Sequence, residues 1–270
     1  MKNKSLSTIY EKMLKYGYDT ALEQCKGGYP DKDDCTWYHS SWMLLRYLDM
    51  VSNPYWHEKF YRDALASAVS GGAEKILVAG TADFSMPLFC YEVGIKKLDI
   101  CDICNTPLLV CNKVAELLNC DWSTYVQDLC QEGPCGYNVI VNDAFLSRFV
   151  DKTVPLKGIA SRLETGGYYI TTLKIGKWNK GGEVSDSIRN RFIKKAAKRY
   201  ELNCKIFPNI DIEEVAKTYV DRMASYPVIN ENEVYGMFSD VGLNILQLEK
   251  GDVVGEFEMS KYFRILSQKI

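Results

Sequence analysis

The chain is short of several things, and each shortage removes a class of function. Positive charge is one: 33 Lys and Arg stand against 35 Asp and Glu, for a formal net charge of −2 and a pI near 5.9. No basic field exists to hold nucleic acid or an anionic membrane. No run approaches the roughly 18 to 20 apolar residues that a membrane helix needs. The opening MKNKSLSTIYEKMLKYGYD also lacks the apolar centre of a secretion signal. Neither nucleic acid nor membrane is expected as a partner, and a cytoplasmic location is expected. Histidine is scarce, with only His39 and His57, and no internal repeat or low-complexity tract is visible. Cysteine is plentiful at ten residues, but there is a single CxxC, Cys101 and Cys104, and no second pair at zinc-finger spacing. Several cysteines sit inside apolar runs such as LLVCNKV, so the expectation is buried free thiols in a reducing compartment, with no metal.

What is present describes an α/β protein. The 47% hydrophobic content of the 270 residues supports a substantial core, in one large or two small domains. Apolar residues at three-and-four spacing predict helices over 5–26 and 35–52, with GGYPDKDD as a loop between them. NPYWHEKFYRDALASAVSGG predicts a third helix, started near Asn53-Pro54 and stopped at Gly71-Gly72. Then come KILVAG, KKLDICDI, STYVQDL, YNVIVND, GGYYITTLKI, LNILQLE and EFEMSKYFRILSQ, short β-rich runs separated by helical or turn segments. The pattern predicts a Rossmann-like, mostly parallel seven-stranded sheet with helices on both faces. The last two runs, divided by the turn-like KGDVVG, are expected to form an antiparallel hairpin. Residues 1–70 are expected to be an N-terminal helical lid and 71–270 the ligand-binding domain.

In such a sheet the ligand sits at the carboxyl ends of the first strands, where the strand order reverses. The first strand ends in Gly80-Thr81-Ala82-Asp83, which lacks the second and third glycines of a pyrophosphate loop. Each missing glycine puts a side chain where the backbone would have to approach the ligand, so a ligand without phosphate is expected and a dehydrogenase is disfavoured. Asp102 closes the second strand 22 residues after Gly80, near the interval expected between a nucleoside-binding turn and its ribose carboxylate. Asp128, after the third strand, is placed to accept from an adenine amino group, and Asn142 and Asp143 lie at the crevice mouth. Each has a structural alternative: Gly80 as a plain turn, Asp102 as a helix cap, Asp128 as a surface loop residue, and Asp83 as the cap of the next helix.

Five segments in order, ILVAGTADFSM, DICNTPL, VQDL, NVIVNDAFLSRF and LETGGYYITTLKIG, resemble the class I S-adenosylmethionine-dependent methyltransferases. The likeness is to a bacterial group whose glycine loop reads G-x-A-D and whose second strand is followed by D-x-C-x-T-P-L. It covers about residues 70–180. The resemblance implies S-adenosylmethionine as cofactor, whose sulfonium and amino-acid tail stand where a pyrophosphate would, and a small-molecule acceptor. It implies cofactor contacts from Gly80, Thr81, Ala82, Asp83, Asp102, Ile103, Asp128, Leu129 and Asn142, with N-terminal helices over the cofactor.

Trp37, Tyr38, His39 and Trp42 crowd one helix start; they are either core or the aromatic wall of a pocket that meets a sulfonium or an amine. Arg46, one turn on, pairs either with a substrate carboxylate or with Asp49 or Asp33. Tyr38, His39, Asn142 and Asp143 are the candidates to orient the acceptor or take its proton. Trp178, in the Gly-rich GKWNKGGEVSDS, is a candidate pocket wall, and Gly27, Gly28 and Pro30 a candidate hinge of the lid. Two other functions fit the same residues: closure of the cofactor's own amine onto its γ-carbon, as in azetidine-carboxylate synthases, and a silent methyltransferase-like binding protein. Neither the acceptor's nucleophilic atom nor the oligomeric state is written in the sequence.

Overall fold

In the computed structural model, residues 4–25, 35–176, 185–223, 225–254 and 259–270 are described. Trp178, Gly27, Gly28 and Pro30 lie outside them. Strands β1 (Ile76–Ala79), β2 (Lys97–Asp102), β3 (Asp121–Val126), β4 (Tyr137–Val141), β5 (Leu163–Ile175), β6 (Leu243–Val254) and β7 (Met259–Lys269) form one sheet in the order β3-β2-β1-β4-β5-β7-β6. Strands β1 to β5 pair in parallel, and β7 runs antiparallel to both β5 and β6. Strand β1 reads ILVA, and every residue of it is buried, as a central parallel strand covered on both faces requires.

Helices α1 (Lys4–Gln24), α2 (Thr36–Tyr47) and α3 (Glu58–Ser70) precede the sheet. Helices α4 (Ser85–Glu92), α5 (Asn105–Leu118) and α6 (Thr153–Arg162) follow β1, β2 and β4, and α7 (Asp186–Asn203), α8 (Ile212–Arg222) and α9 (Glu231–Ser239) lead to the terminal hairpin. The first three helices share one hydrophobic cluster with a sheet face: Leu14, Leu44 and Leu45 are fully buried in the same cluster as Val78, Ile100 and Val139.

Two local predictions need correction. Helix α2 ends at Tyr47 and Asp49 takes a left-handed φ of 54°, so the helix predicted over 35–52 stops five residues early. The segment KGDVV is strand: β6 continues through it, with Gly251 opposite Tyr262 and Asp252 opposite Lys261. A long ladder to β7 overrides the local turn preference. The glycine that looked like a turn residue is instead where Arg264 lies close, since a Cβ on Gly251 would sit 2.5 Å from its guanidinium carbon.

Gly80 ends β1 with φ +68°, and its N–H donates to the Cys101 carbonyl at 2.8 Å. A Cβ there would come within 2.5 Å of the Phe145 ring. The glycine is therefore required by the turn itself as well as by any ligand beside it. Gly80→Ala is expected to lose about 1 to 2 kcal/mol from the left-handed backbone alone, with a further loss from displacing the ring. In a denaturant-unfolding cycle, Gly80→Ala with Phe145→Ala should cost less than the two single losses added together. Strict additivity would remove Phe145 as a reason for the glycine.

Candidate functional site

The strand order reverses between β1 and β4, and the crevice at their carboxyl ends opens into a cavity of about 1030 Å³. Parallel register sets the floor: Ala79 pairs with Cys101, and Val78 with Val141, so Gly80, Asp102 and Asn142 emerge side by side. From the glycine loop, Gly80, Thr81, Ala82 and Asp83 line the cavity. Asp102 and Ile103 line it from beyond β2, Asp128 and Leu129 from beyond β3, and Asn142 and Asp143 from beyond β4. Trp37, Tyr38, His39, Trp42 and Arg46 supply the wall on the side of α2. Every predicted site residue among the described ones faces this one space.

Their chemistry differs from residue to residue. Asp102 is 8% exposed, and its Oδ1 accepts the Cys104 N–H at 2.8 Å, which leaves Oδ2 for a ligand. Burial, only partly opposed by nearby His39 and by backbone N–H groups, pushes its carboxyl up to about 7. Asp128 accepts the Cys130 N–H through Oδ1 at 2.8 Å. The loop it stands on is anchored by Arg162, a fully buried guanidinium that donates to the carbonyls of Leu129 at 3.2 Å and Gln131 at 2.6 Å. Ile103, at 39% exposure, is the most open apolar residue of the rim.

Asp83 is held by three internal donors while lining the cavity. Its Oδ1 accepts the Ser85 N–H at the start of α4, and its Oδ2 accepts Trp42 Nε1 at 2.7 Å and Arg46 Nε at 2.8 Å. Arg46 thus pairs with Asp83 and not with Asp49, Asp33 lying outside the described residues; it also donates to the Ser52 carbonyl. Both members of the pair are almost wholly buried. Burial alone would raise the Asp83 carboxyl, but the Arg46 guanidinium and the hydrogen bonds of Ser85 and Trp42 outweigh it and hold the group below its ordinary value. The pair ties α2 to the glycine loop.

Asn142 and Asp143 are held by partners that sequence reading does not supply. Asn142 Oδ1 accepts from Thr171 Oγ1 at 2.6 Å and from the Tyr169 hydroxyl at 3.2 Å. Asn142 is 1% exposed, yet its Nδ2 has no partner. Asp143 Oδ1 accepts from Tyr61 at 3.0 Å and Thr172 at 2.6 Å, and Oδ2 from Ser52 at 2.7 Å. Tyr61 also donates to the Asn142 carbonyl at 2.8 Å. Tyr61 comes from α3, some eighty residues away in sequence, and an aromatic on an apolar helix face gives no sign of such a role.

On the α2 wall, Tyr38 packs at a tilt of 38° against Trp42, 5.5 Å between centroids, with the Arg148 guanidinium 5.6 Å from its ring. Trp37 carries Arg222 of α8 over its ring at 4.7 Å. His39 is turned among sulfurs: it is 4% exposed, with Nδ1 3.4 Å from Cys25 Sγ. Burial opposes its protonation, but Cys104 and Cys35 overcome this and raise it to about 10. Cys104 is held down to about 3 by the contact with Cys25, against burial and with the help of His39. Buried free thiols stand, as expected, at Cys25, Cys90, Cys101, Cys104 and Cys111, with Cys35 half-buried; unforeseen is that Cys25, Cys35 and Cys104 meet at His39. His57 lies elsewhere, its Nδ1 accepting from Arg264 Nε at 3.2 Å.

Against this geometry, a solved S-adenosylmethionine-dependent methyltransferase of Methanosarcina mazei matches with a TM-score of 0.52 at 15% identity, over 73% of this chain and 93% of that one. The fold is that of the S-adenosylmethionine-dependent methyltransferases. TehB of Haemophilus influenzae also matches, at 15% identity and a TM-score of 0.49, over 77% of this chain; the chain spans 62% of TehB's length. Magnesium protoporphyrin IX methyltransferase of Synechocystis, solved with bound S-adenosylhomocysteine, matches at 15% identity and a TM-score of 0.49, over 80% of this chain and 84% of that one. No protein-family pattern and no curated protein matches the sequence. Among the described residues, no helix is long and apolar enough to cross a membrane.

Proposed function

We propose that the protein is a cytoplasmic S-adenosylmethionine-dependent methyltransferase acting on a small-molecule acceptor. The observation that carries this reading is the cavity at the β1/β4 reversal. It has a buried carboxylate with one oxygen to spare at Asp102, an unpartnered buried amide donor at Asn142 and an aromatic wall at Tyr38 and Trp42. These suit ribose hydroxyls, a carboxylate or acceptor oxygen, and a cation, in that order. The segments resembling G-x-A-D and D-x-C-x-T-P-L support the same reading, and the absence of further glycines fits a ligand without pyrophosphate. At about 1030 Å³ the cavity stands at the top of the range of about 300 to 1,000 Å³ usual for ligand pockets, which favours two occupants over one.

When bound, the cofactor would supply an already activated methyl group. The chain's own task is then to bind, align and keep water out. Asp102 Oδ2 and Asp128 take up the nucleoside's donors, and the Asp83–Arg46–Trp42 cluster holds the glycine loop in shape. Asp143, fixed by Tyr61, Thr172 and Ser52, is an acceptor of set direction at the mouth of the crevice. It orients a hydroxyl or ammonium of the acceptor, or takes its proton, with Tyr38 opposite. Helices α1 and α2 form the cover.

The test is incubation of the pure protein with S-adenosylmethionine, with and without pooled small-molecule acceptors, following both by-products. S-adenosylhomocysteine that appears only with acceptor is the expected result. Rapid methylthioadenosine from cofactor alone would assign ring closure instead, and absence of calorimetric binding would leave a silent fold.

A further inference from the structure

Three thiols and an imidazole converge at the cavity wall, where Cys35, His39 and Cys104 line the space. Cys25 follows α1, Cys35 and His39 stand one helical turn apart at the start of α2, and Cys104 precedes α5. Their ligand atoms all lie within 4.8 Å of one another. A tetrahedral ion with metal–sulfur bonds of about 2.3 Å and metal–nitrogen bonds of about 2.0 to 2.1 Å sets sulfur–sulfur edges of about 3.8 Å and sulfur–nitrogen edges of about 3.5 Å. The Sγ atoms of Cys35 and Cys104 are 3.7 Å apart, those of Cys25 and Cys104 are 4.0 Å apart, and Cys25 Sγ is 3.4 Å from His39 Nδ1. One such contact is ordinary packing; three at this spacing, in a set of four ligand atoms all within 4.8 Å of one another, outline a coordination shell.

The surroundings fit a metal as well. Cys25, His39 and Cys104 are buried and Cys35 is half-buried, so the shell is nearly closed to water. The Thr106 hydroxyl, itself 1% exposed, lies 2.8 Å from Cys25 Sγ, where it can donate to a thiolate as an outer-shell partner does. We propose that Cys25, Cys35, His39 and Cys104 bind one zinc ion in a closed tetrahedral site. Three thiolates and an imidazole are too soft a set for magnesium or calcium and match zinc. Four protein ligands leave no position for water or substrate, so the site is structural. The ion displaces the thiol protons and leaves a net charge of −1 on the complex, with no change of oxidation state.

The site answers a question of assembly. It fastens the end of α1 and the start of α2 to the start of α5, two residues beyond Asp102, whose Oδ1 takes the Cys104 N–H. Helices α1 and α2 are thereby clamped to the floor of the cavity. His39 serves as a ligand, and proton transfer, where the acceptor needs it, rests with Asp143 or Tyr38.

The ion is read without cofactor or acceptor, so this site stands or fails separately from the methyl-transfer reading. Protein purified under reducing conditions should carry one zinc per chain by elemental analysis, and should release it to a chromogenic chelator only when a mercurial blocks the thiols. Cobalt exchanged into the wild-type chain should give intense tetrahedral d–d bands with thiolate-to-cobalt charge transfer. Cys104→Ser and His39→Ala should lose the zinc, while Cys111→Ser, buried but outside the cluster, should keep it. If the cluster variants aggregate, the cobalt spectrum of the wild type still decides. Zinc far below one per chain together with a weak octahedral cobalt spectrum overturns the site, and iron or copper found there in place of zinc overturns the assignment of the metal.

Discussion

Asp83→Asn should lower the stability of the protein by about 3 to 5 kcal/mol, because it leaves the buried Arg46 guanidinium without its counter-charge. Against a typical total of about 5 to 15 kcal/mol, that loss decides whether the chain stays folded on warming. Arg46→Met should cost a similar amount by stranding the Asp83 carboxylate. The double variant should lose less than the sum of the two, since no unpaired charge remains. The sign of the pH dependence follows from the Asp83 carboxyl, which is held in the folded state below its ordinary 3.8. Its contribution is therefore present above that pH and lost as the pH falls through the lower, folded value. Urea unfolding from pH 7 down to 3 should show the wild type losing more stability across the acid limb than Asp83→Asn. Equal acid limbs would mean that Asp83 does not carry its charge inside the fold.

At pH 8.5, above the value of about 7 to which burial pushes the Asp102 carboxyl, Asp102→Ala should weaken S-adenosylmethionine binding by roughly 10-fold to 150-fold, the equivalent of about 1.5 to 3 kcal/mol for hydrogen bonds to a charged acceptor. The same oxygen pair also serves the fold, because Oδ1 satisfies the Cys104 N–H. Asp102→Asn is therefore the cleaner variant: its amide oxygen can keep that internal bond while the charge and the second acceptor are lost. It should fold with an unchanged melting temperature and still bind the cofactor at least 10-fold more weakly by calorimetric titration. Normal affinity in both variants would move the ribose away from β2 and with it the whole placement of the ligand.

The order of helices and strands was legible because it depends on local pattern. Buried runs such as ILVA, three-and-four spacing in the first helices and the Asn53-Pro54 start of a helical turn act over a few residues. The candidate ligand residues were legible for a related reason: parallel strands all deliver their carboxyl ends to one edge, so Gly80, Asp102, Asp128 and Asn142 had to share it once the alternation was read. Partners were not legible. Arg46 meets Asp83 and not Asp49, because α2 stops at Tyr47 and docks on the glycine loop, a choice made by packing at a separation of 37 residues. Tyr61 and Ser52 reach Asp143 only because α3 and the segment before it fold back across the strand ends. Of Cys25, Cys35, His39 and Cys104 only Cys35 and His39, four residues apart, show a ligand spacing along the chain, and the four become a cluster only when three helix ends are brought together. Periodicity and turn chemistry are properties of neighbouring residues. Charge pairing, hydrogen-bond completion and metal geometry depend on distances in space, which the tertiary fold alone determines.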